Sequence, residues 1–376
     1  MAISTLDELM DRLAQFEPAG FPVISLYLNA EADQHGQTNF GPFVRKEMGE
    51  QAKTFPKGSA ERESFERDAE RINTFLEKEV APQANGIALF ACEAADLFEA
   101  AQLGAPIPNN RLFVYEQPHL YPLARLMDQY PRYVALVANS NTARLFVFGR
   151  GKALNTEEVK GVKVNRVKVG GWSQMRYQRR LANNHLQHAR EVVDTLARLV
   201  EEEQAAHVIL AAETSILPLM REQMPAELDN KVIDVLKLDV NAPEQEILAY
   251  TTEALQEHDA QTDEEKVGRM FEQYRAGGLA VTGAAETLTA LYNGQADELL
   301  IDAAPANLRF DERHIRAAVR PYDEDAANSL DFGDPRVVAD ELVRRAQATD
   351  AGITFVENSS LLEEVGGAGA LLRYRM

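Results

Sequence analysis

The chain has 376 residues, 45% of them apolar, and carries a formal charge of −20. At about 100–200 residues per domain, that length predicts two to four domains. The acidity excludes a generic nucleic-acid binder, which would be basic overall. No apolar run approaches the ~20 residues that span a bilayer, and Met1–Glu8 lacks the basic and apolar regions of a signal peptide. The one cysteine, Cys92, has no intrachain partner, so the expected location is cytoplasmic. With no histidine near it in sequence, Cys92 reads as a buried strand thiol rather than a nucleophile.

Three units follow in chain order. The first, residues 1–127, opens with a helix that puts Leu6, Leu9, Met10 and Leu13 on one face behind a Ser4/Thr5 cap. A strand at Val23–Leu28 and a charged helix from about Ala60 to Val80 come next. Strands at Gly86–Cys92 and Leu112–Tyr115 close the unit, and Pro118 and Pro122 punctuate its exit. The second unit, residues 128–275, begins with a hairpin, Tyr133–Ala138 and Ala143–Phe148, around an Asn-rich turn. A basic loop leads into a long helix from about Met175 to Glu203, with Leu181, Ala189, Val192, Val193, Leu196 and Val200 on its core stripe. A strand at His207–Ala212, a short helix, a strand near Val232–Leu238 and a helix from Pro243 complete an α/β layer. The third unit, residues 276–376, alternates strands at Gly278–Thr282, Asp297–Asp302, Ile353–Val356 and Ala370–Tyr374 with helices at Ala284–Asn293 and Pro335–Thr349. Such alternation predicts an α/β/α sandwich. Asp302–Asp334 is highly charged and weakly periodic, and reads as a loop insertion.

Between Val159 and Arg190 there is no Asp or Glu, but there are eight cations: Lys160, Lys163, Arg166, Lys168, Arg176, Arg179, Arg180 and Arg190. They leave a formal −28 on everything else. Near the centre lies Gly170-Gly171-Trp172-Ser173-Gln174. A Gly pair lets the backbone approach a crowded target, flanking cations give phosphate contacts, and a neutral glutamine orients a water or donates to an oxyanion. The competing reading is an ordinary turn with Ser173 as N-cap, solvated cations, and Trp172 folded back on its own domain instead of stacking on a base. His185 and His188 could offer two metal ligands, but no third is apparent, so a polar or RNA-facing pair is expected. No phosphate-binding Gly-rich loop, H-E-x-x-H or Cys-based metal site is present, and no metal or cofactor is expected. Glu201-Glu202-Glu203 reads as a solvated face.

At full length the chain resembles the archaeal and eukaryotic class I peptide-chain release factors and their Pelota, Vms1-type and bacterial Balon-type relatives. Tyr133–Gly149 resembles the family's entering hairpin, Gly170–Arg179 its Gly-Gly-Gln loop and the basic start of the long helix, and His207–Ala212 the strand that follows. Val267–Phe271, Gly278–Gly283, Glu286–Leu291, Asp297–Ile301 and Gly366–Tyr374 occur in family order. The resemblance implies an α+β N-terminal unit, a central RNase H-like domain and a C-terminal L7Ae/L30e-like α/β/α domain. It also implies docking in the ribosomal A site, beside the peptidyl-transferase centre and the P-site tRNA. Two departures stand out. Aligned without a gap, Trp172 falls where the family has its glutamine, and the first unit has no Asn-Ile-Lys-Ser codon-reading motif, which excludes ordinary stop-codon termination.

Three functions fit. The first is a Balon-type hibernation or ribosome-protection factor that occupies the A site as a monomer, with or without a translational GTPase. There Lys163, Arg166, Lys168, Gly170, Gly171, Trp172, Ser173, Arg176, Arg179 and Arg180 would meet ribosomal RNA or tRNA. The second is a peptidyl-tRNA hydrolase that rescues stalled ribosomes, with Gln174 positioning water. The third is a non-ribosomal module binding another RNA or an acidic protein.

Overall fold

The computed structural model describes residues 6–32, 38–149, 151–160 and 172–375, and for residues 152 and 172–178 the backbone alone. Lys163, Arg166, Lys168, Gly170 and Gly171, and the Ser4/Thr5 cap, lie outside the described residues. The chain divides into two compact units, one made of residues 1–129 and 260–376 and the other of residues 130–259.

The first segment runs α1 (Leu6–Ala14), β1 (Val23–Asn29), α2 (Phe40–Gln51), α3 (Ala60–Lys78), β2 (Gly86–Cys92), β3 (Leu97–Leu103), β4 (Arg111–Tyr115) and α4 (Tyr121–Gln129). Its antiparallel sheet has the order β3-β2-β1-β4. Alternation sends Ile24, Leu26 and Leu28 to one face, against Val44 and Met48 of α2 and Phe65, Ile72 and Phe75 of α3. Tyr27, Phe90 and Phe113 take the other face, with Leu9 and Leu13 of α1. Ser59 caps α3 by accepting the Arg62 N–H. Cys92 is fully buried, and burial raises its thiol pKa, which fits a packed strand residue and not a nucleophile.

The central unit comprises β5 (Tyr133–Ala138), β6 (Thr142–Gly149), β7 (Lys152–Lys160), α5 (Trp172–Glu202), β8 (His207–Ala212), α6 (Leu217–Gln223), α7 (Ala226–Asp229), β9 (Val232–Leu236) and the start of α8 (Glu244–Arg275). Sheet order is β7-β6-β5-β8-β9. The first three strands form an antiparallel meander, and β8 and β9 continue parallel to β5, an RNase H-like topology. Val134, Leu136, Val208 and Leu210 face Val192, Val193, Leu196 and Val200 of α5. Tyr133, Ala135, Val137 and Phe146 face Ile247 and Leu255 of α8. Both faces are covered, so β5 is buried throughout.

The last segment runs β10 (Ala280–Thr282), α9 (Ala284–Tyr292), β11 (Ala296–Asp302), α10 (Glu312–Val319), α11 (Glu324–Ser329), α12 (Pro335–Ala348), β12 (Gly352–Val356) and β13 (Ala368–Leu372). Its sheet has the order β10-β13-β11-β12, with β11 and β12 parallel. Residues 302–334 are not the weakly structured loop expected from their charge. They hold α10 and α11, capped by the carboxylates of Asp311 and Asp323, and Phe332 is fully buried.

First and last segments share one core. The start of α4 is held by the Asp340 carboxylate, which accepts the Leu120 and Tyr121 N–H groups at 2.6 and 2.9 Å. The Tyr121 hydroxyl donates to the Asp302 carbonyl at 2.5 Å, and Arg125 forms a forked pair with Glu357.

Candidate nucleic-acid interface

α5 runs antiparallel to β5. At its C-terminal end the Arg132 guanidinium, just before β5, donates to the Glu203 carbonyl at 2.9 Å. At the other end of the strand, His188 lies beside the backbone of Asn139 and Thr142, in the turn between β5 and β6. Fifteen residues from 188 to 203 rise about 22 Å, and the six residues of β5 about 20 Å, so helix and strand match in length. The helix that precedes His188 therefore continues past the sheet edge. From Trp172 to His188 that is sixteen residues, roughly 24 Å of helix.

The burial of α5 changes where this geometry says it should. Ala189, Val192, Val193, Leu196 and Leu199 are buried, whereas residues 179–187 are exposed or half-buried. Arg179 and Arg180 are exposed, with no ion-pair partner among the described residues. Cations nearer the sheet are engaged: Arg190 donates to Gln223 at 3.0 Å, and Arg198 is shared between Glu157 and Glu202. Free positive charge is thus concentrated on the part of the helix beyond the sheet.

The helix begins at Trp172, directly after the two glycines. Ser173 and Gln174 lie in its first turn, so Ser173 is not the N-cap and Gln174 belongs to the helix rather than to a preceding loop. The described backbone thus brings Trp172, Ser173, Gln174, Arg176, Arg179 and Arg180 onto one projecting element.

His188 corrects the expectation of a polar or RNA-facing histidine pair, because it is buried. His185 is half-buried, but His188 is 2% exposed, and among the described residues neither ring nitrogen forms a well-aligned hydrogen bond, although the Asn139 and Thr142 backbone lies close. Burial lowers its pKa, with a smaller opposing effect from Glu191. Among the described residues no group of three or more His, Cys, Asp or Glu is placed to hold a metal ion.

One polar cluster was missed by sequence reasoning. Where β5 and β8 end, the Ser140 and Ser215 hydroxyls share a hydrogen bond at 2.9 Å, and the one that accepts is free to donate to Glu213, which lies 3.5 Å from Ser140 and 3.3 Å from Ser215. The signal was there to read, since polar residues follow directly on two apolar strands. The cluster occupies the sheet edge past which α5 projects. Further, no helix is long and apolar enough to cross a membrane among the described residues.

Residues 118–256 match the model of bacterial archaeo-eukaryotic release factor family 10. An uncharacterized protein of Mycobacterium tuberculosis is 25% identical over 302 residues, 77% of this chain and 78% of its own. Among solved structures, an archaeal Pelota, described bound to the ribosome with ABCE1, has a TM-score of 0.42 at 14% identity, covering 99% of this chain and 95% of that one. An archaeal translation termination factor has a TM-score of 0.26 at 16% identity, covering 98% and 97%. Across residues 118–256, therefore, the chain is similar to the bacterial archaeo-eukaryotic release factors of family 10.

Proposed function

We propose that this protein is a ribosome-binding factor that occupies the A site, protecting or silencing the ribosome as a Balon-type hibernation factor does. One observation carries the reading: a helix whose Arg179 and Arg180 have no ion-pair partner among the described residues extends roughly 24 Å past its sheet on a chain that is otherwise strongly acidic. The acidic remainder repels polyanions, so RNA contact concentrates on this element. Occupancy is favoured over hydrolysis because Gln174 lies inside the helix, its backbone direction fixed by the ladder rather than free in a glycine loop. Trp172 then leads the helix toward ribosomal RNA or the acceptor end of a P-site tRNA, where an aromatic ring can stack.

The test is cosedimentation with ribosomes across a salt series. In Arg176→Glu/Arg180→Glu, association weakens, and the slope of log K against log salt falls by about 0.7–0.9 for each phosphate no longer neutralised. In Gln174→Ala, ribosome binding is unchanged. Peptide release by the wild type that disappears in Gln174→Ala would instead establish the peptidyl-tRNA hydrolase reading. Unchanged cosedimentation of the double charge reversal would refute the assignment of the surface.

A further inference from the structure

The unit formed by the first and last segments contains a cavity of about 360 Å³ whose lining includes Arg111, Arg125 and Arg336 and no Asp or Glu. On a chain of charge −20 this is an exception. The neighbouring cavity of similar size is lined by Glu61, Glu116, Asp331, Asp340 and Glu341.

The three arginines are held in a particular way. Arg125 spends Nε and Nη2 on Glu357, at 3.3 and 2.9 Å, and its Nη1 has no acceptor among the described residues. Arg336 likewise spends Nε and Nη2 on Asp334, leaving Nη1 without an acceptor among the described residues. Neither carboxylate belongs to the lining. Each guanidinium is therefore held by a carboxylate outside the lining and keeps an N–H-bearing edge in reserve. Arg111, exposed at the start of β4, has no partner among the described residues. The remaining wall includes Ile107, Leu126 and Pro305. Pre-oriented guanidinium groups suit phosphate oxygens, and an apolar wall suits a ring.

We infer that this cavity is a binding site for a free nucleoside diphosphate, its phosphates on Arg111 and the free edges of Arg125 and Arg336, its base against the apolar wall. The inference is independent of the ribosome-binding proposal, because none of these residues lies on α5. The test is calorimetric titration of the full chain with ADP, GDP, adenosine, inorganic phosphate and a short oligoadenylate. A nucleoside diphosphate should saturate with a Kd on the order of 1–100 μM, and adenosine and phosphate should each bind at least about tenfold more weakly. Arg111→Ala should weaken the diphosphate at least about tenfold, Arg111→Lys less, and Arg180→Glu not at all. Arg111 is exposed, so unfolding does not confound the result, and an unchanged thermal midpoint verifies this. Three outcomes would overturn the site: no saturation by about 1 mM, binding insensitive to Arg111, or Arg111-dependent binding of the oligoadenylate in preference to the free diphosphates.

Discussion

Replacing His188 with leucine should stabilise the central unit. The imidazole is buried between α5 and the turn joining β5 to β6, beside the Asn139 and Thr142 backbone, and among the described residues neither nitrogen forms a well-aligned hydrogen bond. Leaving buried polar groups unmade costs about 1–3 kcal/mol, and leucine fills similar space without them. The expected gain is therefore about 1–3 kcal/mol at pH 7.5, or roughly 4 °C per kcal/mol for a unit of this size. The gain also has a pH signature. Burial lowers the folded-state pKa below its ordinary value of 6.5; His185 adds to this, and Glu191 and the Asn139 and Thr142 backbone oppose it. The unfolded chain thus binds more protons, so this histidine destabilises the native state progressively as pH falls through about 6.5. Urea midpoints at pH 5–8, at constant m, measure the gap between variant and wild type. The gap should widen toward acid. A variant no more stable than wild type, or a gap constant with pH, would refute the argument.

Asp68 should act in the opposite direction. It is buried with one carboxylate oxygen unpartnered, and burial raises its pKa to about 6. The native state then binds the extra proton, and this contribution to stability is lost as pH rises from about 4 to 6. Asp68→Asn should flatten that part of the stability profile and gain about 1 kcal/mol at pH 7, read by urea unfolding. Tyr121→Phe removes the bond to the buried Asp302 carbonyl and should cost about 1–3 kcal/mol. Asp340→Ala strips the start of α4 of two N–H acceptors and should cost about 1–2 kcal/mol, with faster amide exchange at Leu120 and Tyr121. Leu196→Ala, in the fully buried stripe of α5, should cost about 2–5 kcal/mol in the same unfolding assay.

Apolar periodicity made much of this fold legible. β5, β8 and the core stripe of α5 are buried on both sides or along one face, and there pattern and structure coincide. The misses have local causes. β7 is a polar edge strand, Lys152–Lys160, with one neighbour, so little of its sequence is constrained to alternate. β3 follows β2 through a turn closed by Asp96 with φ +52°, where the usual glycine signal is absent. Pro122 reads as punctuation, yet it sits in the first turn of α4, where a missing N–H costs nothing. Between 302 and 334, the charge that suggested a loop is partly capping chemistry. Asp311, Asp323 and Asp334 each accept a backbone N–H at the start of a helix.

The proposed interface was visible as charge, and helix electrostatics sharpen what that charge means. α1 and α3 place acids in the first turn and a base in the last, as the helix dipole favours. α5, at 31 residues, has neither. Its cations Arg176, Arg179 and Arg180 lie toward the positive end, and Glu201 and Glu202 toward the negative end. Each favourable placement is worth about 0.3–1 kcal/mol, so this helix forgoes stability that others in the same chain take. Arg179 and Arg180 gain no ion pair among the described residues in exchange. A polyanion outside the chain is the kind of partner that would make such an arrangement favourable, and the unpaired Arg179 and Arg180 lie on the part of α5 that extends beyond its own sheet.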